Sequence, residues 1–198
     1  FRDGNISPQV GYDRLVKRCR ANLPQVKSWT VRSDSAGYNL ETLDKWASEG
    51  IMFYVTADQF LGMQDILRNH TEWQSYVSNG VTTEQEVTEI AYVPTFSNQR
   101  ELKLRRHTLR FIGIRKPKSG QLELGADKYI YQVVATNTKE KDLNKILKTH
   151  WQRCGSIEHA HEQLKNGCGL KRFPSKHFNV NAAWCSLGIL THNVLRLI

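Results

Sequence analysis

The chain is 198 residues long, 39% hydrophobic and 24% charged, a size and composition suited to one medium globular domain rather than two. It holds no apolar run long enough to cross a bilayer as a helix, so no transmembrane helix is expected in it. A formal charge of +9 and a pI near 9.5 favour a polyanionic partner.

Residues 9 to 22, QVGYDRLVKRCRAN, space Tyr12, Leu15, Val16 and Cys19 as one helical stripe. Lys17, Arg18 and Arg20 fall towards its end, where the dipole favours cations, and Pro24 stops it. Residues 26–33, VKSWTVRS, alternate as a strand does, and Asp34 follows at once, before small residues and a glycine. Asn39 is a good N-cap for a helix over 39–49, and Gly50 stands where a left-handed residue closes it. The continuous apolar run IMFYVTA, 51–57, predicts a buried strand in a parallel arrangement. Strand, helix and strand within this span have the length of a βαβ unit, so the core is predicted to be α/β.

Residues 60–77 predict a helix and then a polar connection, and residues 86–135 are β-rich. Within ELKLRRHTLRFIGI the polar face shifts by one residue, so a bulge near Arg105–Arg106 would keep Lys103, Arg105, Arg106 and Arg110 on one face. The run from Arg100 to Lys118 holds eight Lys or Arg and one acid, Glu101. It is either a solvated hairpin or a grip on phosphates. From Lys141 onward the chain is helical: DLNKILKTHW, then SIEHAHEQLKN with Ser156 as N-cap and Gly167 and Gly169 at its end, then a long apolar closing helix. Cys19, Cys154, Cys168 and Cys185 form no C-x-x-C pair, which suits a reduced, cytoplasmic protein. His150, Cys154, His159, His161 and Cys168 match no familiar zinc spacing.

Two carboxylates carry the chemical question. Asp34 sits where a strand gives way to a turn. Glu158, Glu162 and Lys165, at i, i+4 and i+7, share one helical face beside the apolar stripe. That face is either solvated, with a Glu–Lys pair, or turned inward so that Glu158 meets Asp34. Carboxylates about 4 Å apart repel by about 4 kcal/mol at an effective dielectric near 20. They stay together only around a proton or a cation, and Mg²⁺ suits hard oxygen ligands. Such a site activates water and stabilises a leaving oxygen in phosphoryl transfer. Asp58, Tyr38 and Asn137 lie near enough in sequence to the strand ends to approach such a site or to serve as local caps and hydrogen-bonding groups.

FRDGN at 1–5, VRSDSAGY at 31–38, GIMFYVTAD at 50–58, ATNT at 135–138 and HWQRCGSIEHAHEQLKNGCGLKRFP at 150–174 together resemble the C-terminal part of DDE-type insertion-sequence transposases. The resemblance covers nearly the whole chain, and its most specific piece is the set Arg153, Glu158, Lys165. It implies an RNase H-like mixed sheet with flanking helices, a single partial catalytic domain over 1–198, and a β-rich insertion at about 70–136. It implies Asp34 and Glu158 as the second and third acids and as ligands of Mg²⁺ or Mn²⁺. Arg153 and Lys165 then match residues that contact the transposon end, with Lys103, Arg105, Arg106 and Arg110 as further DNA contacts. The implied partner is double-stranded DNA at transposon ends, with no membrane, and the implied setting is the bacterial cytoplasm at the nucleoid.

The sequence departs from the family pattern in three places. His150 stands where a tyrosine recurs. The gap from Arg153 to Glu158 is one residue longer than in the commonest form, which makes Glu162 a competitor for the third acid. The family's first acid belongs to a strand upstream of the FRDGN-like segment, and Asp3 is no substitute. The chain therefore reads as a fragment lacking the first acid and the first strands of the sheet. The open edge of its first strand is expected to pair with the missing N-terminal part or to make a homodimer. The competing function is a DNA-binding or assembly module that keeps the fold without the chemistry.

Overall fold

The computed structural model describes residues 10–59, 61–92, 109–118 and 127–197. The FRDGN segment with Asp3, the positions Lys103, Arg105 and Arg106, and the bulge expected among them lie outside the described residues. The described residues form two compact units, residues 10–151 and residues 152–197.

In the larger unit, helix α1 (Tyr12–Asn22) buries Val16. Strand β1 (Thr30–Ser33), helix α2 (Leu40–Ser48) and strand β2 (Met52–Thr56) form the expected βαβ unit. The two strands are parallel, with Val31 opposite Phe53 and Ser33 opposite Val55. Local chemistry sets the ends of α2. The Asn39 Oδ1 accepts the Thr42 N–H at 2.9 Å, and Gly50 takes a φ of 71°. The Ile51 N–H then donates to the Trp46 carbonyl at 2.8 Å and the Gly50 N–H to that of Ala47 at 3.2 Å, the paired bonds of a Schellman motif. Because that turn fixes where β2 begins, the strand expected over 26–33 pairs only in its last four residues. Ahead of them the Trp29 carbonyl still accepts the Met52 N–H at 2.9 Å, but the Val26 N–H turns back to the Leu23 carbonyl at 3.1 Å and the Val26 carbonyl accepts the Trp29 indole N–H at 3.3 Å.

Helix α3 (Leu61–Asn69) follows, then strands β3 (Gln74–Ser78), β4 (Val81–Ile90), β5 (Arg110–Pro117) and β6 (Tyr129–Thr136). The sheet runs β1-β2-β6-β5-β4-β3, and every pair but the first is antiparallel. β3 occupies part of the stretch expected to be a polar connection. Only Tyr76 in it is buried, so its own sequence has little strand character, and pairing with β4 makes it a strand. The signal for this hairpin is Asn79–Gly80, both at positive φ (50° and 81°), as a two-residue turn requires.

Alternation along the strands divides the core between the two faces of the sheet. Leu43, Trp46, Phe53, Val55, Phe111 and Val133 pack on the face that α2 and α3 cover. Ile112, Ile114 and Val134 pack with Ile146 and Leu147 of helix α4 (Leu143–Trp151) on the other.

The smaller unit holds helix α5 (Ser156–Glu162), a π-helical turn (Gln163–Gly167) and helix α6 (Phe178–Leu195). Gly155, at φ 92°, occupies the cap position expected for Ser156, and it supplies no side-chain cap. Gly188 in α6 lies so close to Leu170 that a Cβ there would sit 2.7 Å from the leucine Cδ2.

Six helices and a six-stranded mixed sheet among the described residues make a mixed α/β architecture compatible with an RNase H-like fold. No described helix is long and apolar enough to cross a membrane.

Candidate active site

Asp34 follows β1 directly and is the N-cap of a short 3-10 turn, Ser35–Gly37. Its Oδ1 accepts the Ala36 N–H at 3.2 Å and the Ser33 hydroxyl at 3.5 Å. The Gly37 N–H returns to the Asp34 carbonyl at 3.1 Å. Gly37 is essential to this packing, because a Cβ there would lie 2.4 Å from the Ser33 Oγ and 2.8 Å from the Tyr12 Cε1. The side chain of Asp34 is exposed, and its second carboxylate oxygen makes no hydrogen bond among the described residues. One oxygen is thus fixed and the other is open to solvent at the C-terminal end of a parallel strand. In open α/β sheets, ligands bind outside such strand ends. A hard, exposed carboxylate of this kind fits Mg²⁺ or Mn²⁺.

The neighbouring residues hold this turn in place. The Arg32 guanidinium donates to the Thr149 carbonyl at 3.2 Å, which puts a cation at the C-terminal end of α4, the favourable end of its dipole. Asp58 lies just past β2, beside the strand that ends at Asp34, and burial pushes its carboxyl above the usual range. Tyr38 is buried in the core. Asn137 makes local bonds: its Oδ1 accepts the Phe53 N–H at 3.0 Å and its amide donates to the Ile51 carbonyl at 2.9 Å. With Thr136, whose hydroxyl donates to the Phe53 carbonyl at 2.6 Å, it clasps β2 where the backbone ladder of β6 stops. His150 is also structural. It is 2% exposed, with Nε2 3.2 Å from the Thr56 hydroxyl and Nδ1 3.3 Å from the Tyr54 carbonyl. A carbonyl can only accept, so Nδ1 carries the proton.

Arg110, expected on a DNA-facing surface, is committed within the protein. It grips Glu89 in a two-pronged pair at 2.8 and 2.7 Å and donates to the carbonyls of Thr138, at 2.9 Å, and Glu140. The hydrogen bond from Arg110 holds the Glu89 carboxyl below its usual range. A depressed carboxyl adds stability above its unfolded pKa of about 4.3 and loses it as pH falls through the folded value. Glu89→Gln is therefore expected to cost about 0.5–1 kcal/mol at neutral pH, as a well-aligned, partly exposed pair does. Urea melts should show the difference closing in acid, and an equal difference at both pH values would contradict this origin.

In the smaller unit, Glu158 lies exposed in the first turn of α5, Glu162 is exposed at its end, and Arg153 is half-buried just before the helix. Lys165 is exposed within the π-turn. The wider turn under-rotates the chain, so Lys165 falls behind the position that an unbroken α-helix would give it relative to Glu158. Among the described residues no ion pair joins Glu158, Glu162 and Lys165. Also among the described residues, no three His, Cys, Asp or Glu side chains gather to hold a metal.

The sequence matches the family model described as a transposase DDE domain over residues 1–194. No curated protein matches it.

Proposed function

Because the chain belongs to the DDE transposase family, a family that acts on DNA and generally uses divalent metal ions, we infer that Asp34 and Glu158 are the second and third acids of a Mg²⁺- or Mn²⁺-dependent centre. The reaction is phosphoryl transfer on double-stranded DNA: strand cleavage at transposon ends, followed by strand transfer. The observation that supports this most directly is the Asp34 turn, with one carboxylate oxygen fixed and the other open at a parallel strand's end. Glu158 supplies the second hard oxygen, and Glu162, four residues on, is the alternative. The bound metal would activate water and stabilise the leaving oxygen. Arg153 and Lys165 hold phosphates near the cut, and Lys103, Arg105 and Arg106 hold the backbone further away. Arg110 anchors the strand beside them, with its guanidinium held by Glu89 and two carbonyls.

On this reading Asp34 and Glu158 are two acids of three, and no described residue is assigned as the first. The outer side of β1, an edge of the described sheet, is the proposed place for a further strand to pair.

Isothermal titration with Mn²⁺ tests the metal centre. The expected result is measurable binding that Asp34→Asn and Glu158→Gln each weaken by about tenfold or more. Asparagine is an equally good cap, so the first variant removes charge and leaves the turn. No Mn²⁺ affinity at all would favour the module that binds DNA without cutting it.

A further inference from the structure

The smaller unit contains a cleft of about 410 Å³ between the end of α5, the π-turn and the C-terminal end of α6. Its lining includes His159, Glu162, Gln163, Asn166, His192 and Arg196. Gln163 is the informative residue. One end of its amide meets the His159 Nε2 at 2.9 Å, while its Oε1 is buried without a hydrogen-bond partner. Turning the amide over changes which atom is orphaned and leaves one end unpaired. A buried amide end without a partner is destabilising, so a side-chain rotation that turns it to a polar group in the cleft is favoured. The amide also opens the π-turn, an irregularity that occurs frequently at functional sites.

We propose that this cleft binds a single unpaired nucleotide. The chemistry of the lining selects that class. Gln163 and Asn166 carry primary amides, which pair with the donor and acceptor edge of a nucleobase. His159 and His192 offer flat rings on which an unstacked base can rest. Arg196 gives a cation for the attached phosphate. The imidazoles and the Glu162 carboxylate do not gather with the metal-holding geometry of three ligands, and that carboxylate disfavours a bare inorganic anion. The volume lies near the lower end for small-molecule sites, with room for one base and its sugar. The proposal rests on the DNA-acting reading of the family and adds a subsite to it. The nucleotide is either an unpaired base within a strand or a free nucleotide.

Fluorescence anisotropy of the full chain with short labelled oligonucleotides tests it. The probes are the four single-stranded homopolymers, an abasic strand of equal length, and a duplex. The best base-bearing strand should bind about tenfold or more tightly than the abasic one, the scale of one base contact. Gln163→Leu should erase most of that advantage and leave duplex binding intact, and Asn166→Ala should reduce it without disturbing the buried amide. Competition by the four deoxynucleoside monophosphates separates the two sources: displacement shows that a free nucleotide suffices, and its absence that the strand is needed. Equal binding of base-bearing and abasic strands, or an advantage that survives both substitutions, would sink the subsite alone if duplex binding persists. Failure to bind any DNA would remove the DNA-acting reading and the subsite together.

Discussion

Asp34→Asn is expected to reduce metal-dependent DNA strand cleavage by about 10³-fold or more, because residues that act as one catalytic unit fail nearly completely when one is lost. A factor of that size is about 4 kcal/mol of transition-state stabilisation. Global stability should barely change, since asparagine can still accept the Ala36 N–H that Asp34 Oδ1 accepts at 3.2 Å. Plasmid nicking in Mg²⁺ or Mn²⁺ is the measurement. On the proposed reading, in which it carries two acids of three, the 198-residue chain alone is expected to leave the plasmid intact. A longer polypeptide that adds the first acid is expected to nick it, and Asp34→Asn in that polypeptide to stop the nicking. Vigorous nicking by the short chain, abolished by Asp34→Ala, would overturn the two-of-three reading. Nicking that survives Asp34→Asn in the longer form would remove Asp34 from the centre.

The largest effect on stability is expected from Trp46→Ala. Trp46 is fully buried. Its ring meets Tyr12 edge-on at 5.6 Å and Phe53 at 6.4 Å, and its indole N–H donates to the Asp13 Oδ1 at 3.3 Å. It thereby locks α1 and α2 onto β2, the strand beside the Asp34 turn. Truncating a buried tryptophan costs about 3–5 kcal/mol, a large part of the about 5–15 kcal/mol that holds a typical domain together. Urea unfolding followed by near-ultraviolet circular dichroism should show a large drop in the midpoint. Trp46→Phe keeps a ring and loses only the indole bond, so it should fall much less. Equal losses would mean that the hydrogen bond to Asp13, rather than packing, carries the effect.

Local chemistry made the βαβ unit and its caps legible in the sequence. Asn39 and Gly50 act within a few residues of themselves, and the run at 51–57 is apolar enough to be buried whatever surrounds it. β3 was not legible in this way, since four of its five side chains escape burial and it exists through its neighbour. The pairing of Arg110 was not legible, because its partner, Glu89, is 21 residues away and reaches it through the register of β4 and β5. The π-turn is equally silent, because nothing in QLKNG distinguishes it from an α-helix. Of the candidate site, the sequence placed Asp34 at a strand end, but not the roles of Ser33 and Gly37 in fixing its carboxylate. Those roles depend on how closely the turn approaches Tyr12.

The joint between β2 and β6 also sets an order of events in time. β3, β4, β5 and β6 join each to the next in sequence, while β1 and β2 are linked by one short helix. Within each set, every strand pairs with the next one in sequence. The two sets pair along Tyr54–Thr56 and Val134–Thr136, reinforced by the side chains of Thr136 and Asn137. Closing that long separation is the slower, entropically dearer step. During synthesis the apolar strand at 52–56 emerges well before its antiparallel neighbour exists. Until the meander arrives, one side of the nascent sheet is a bare template, and a chaperone or a second ribosome's product competes for it.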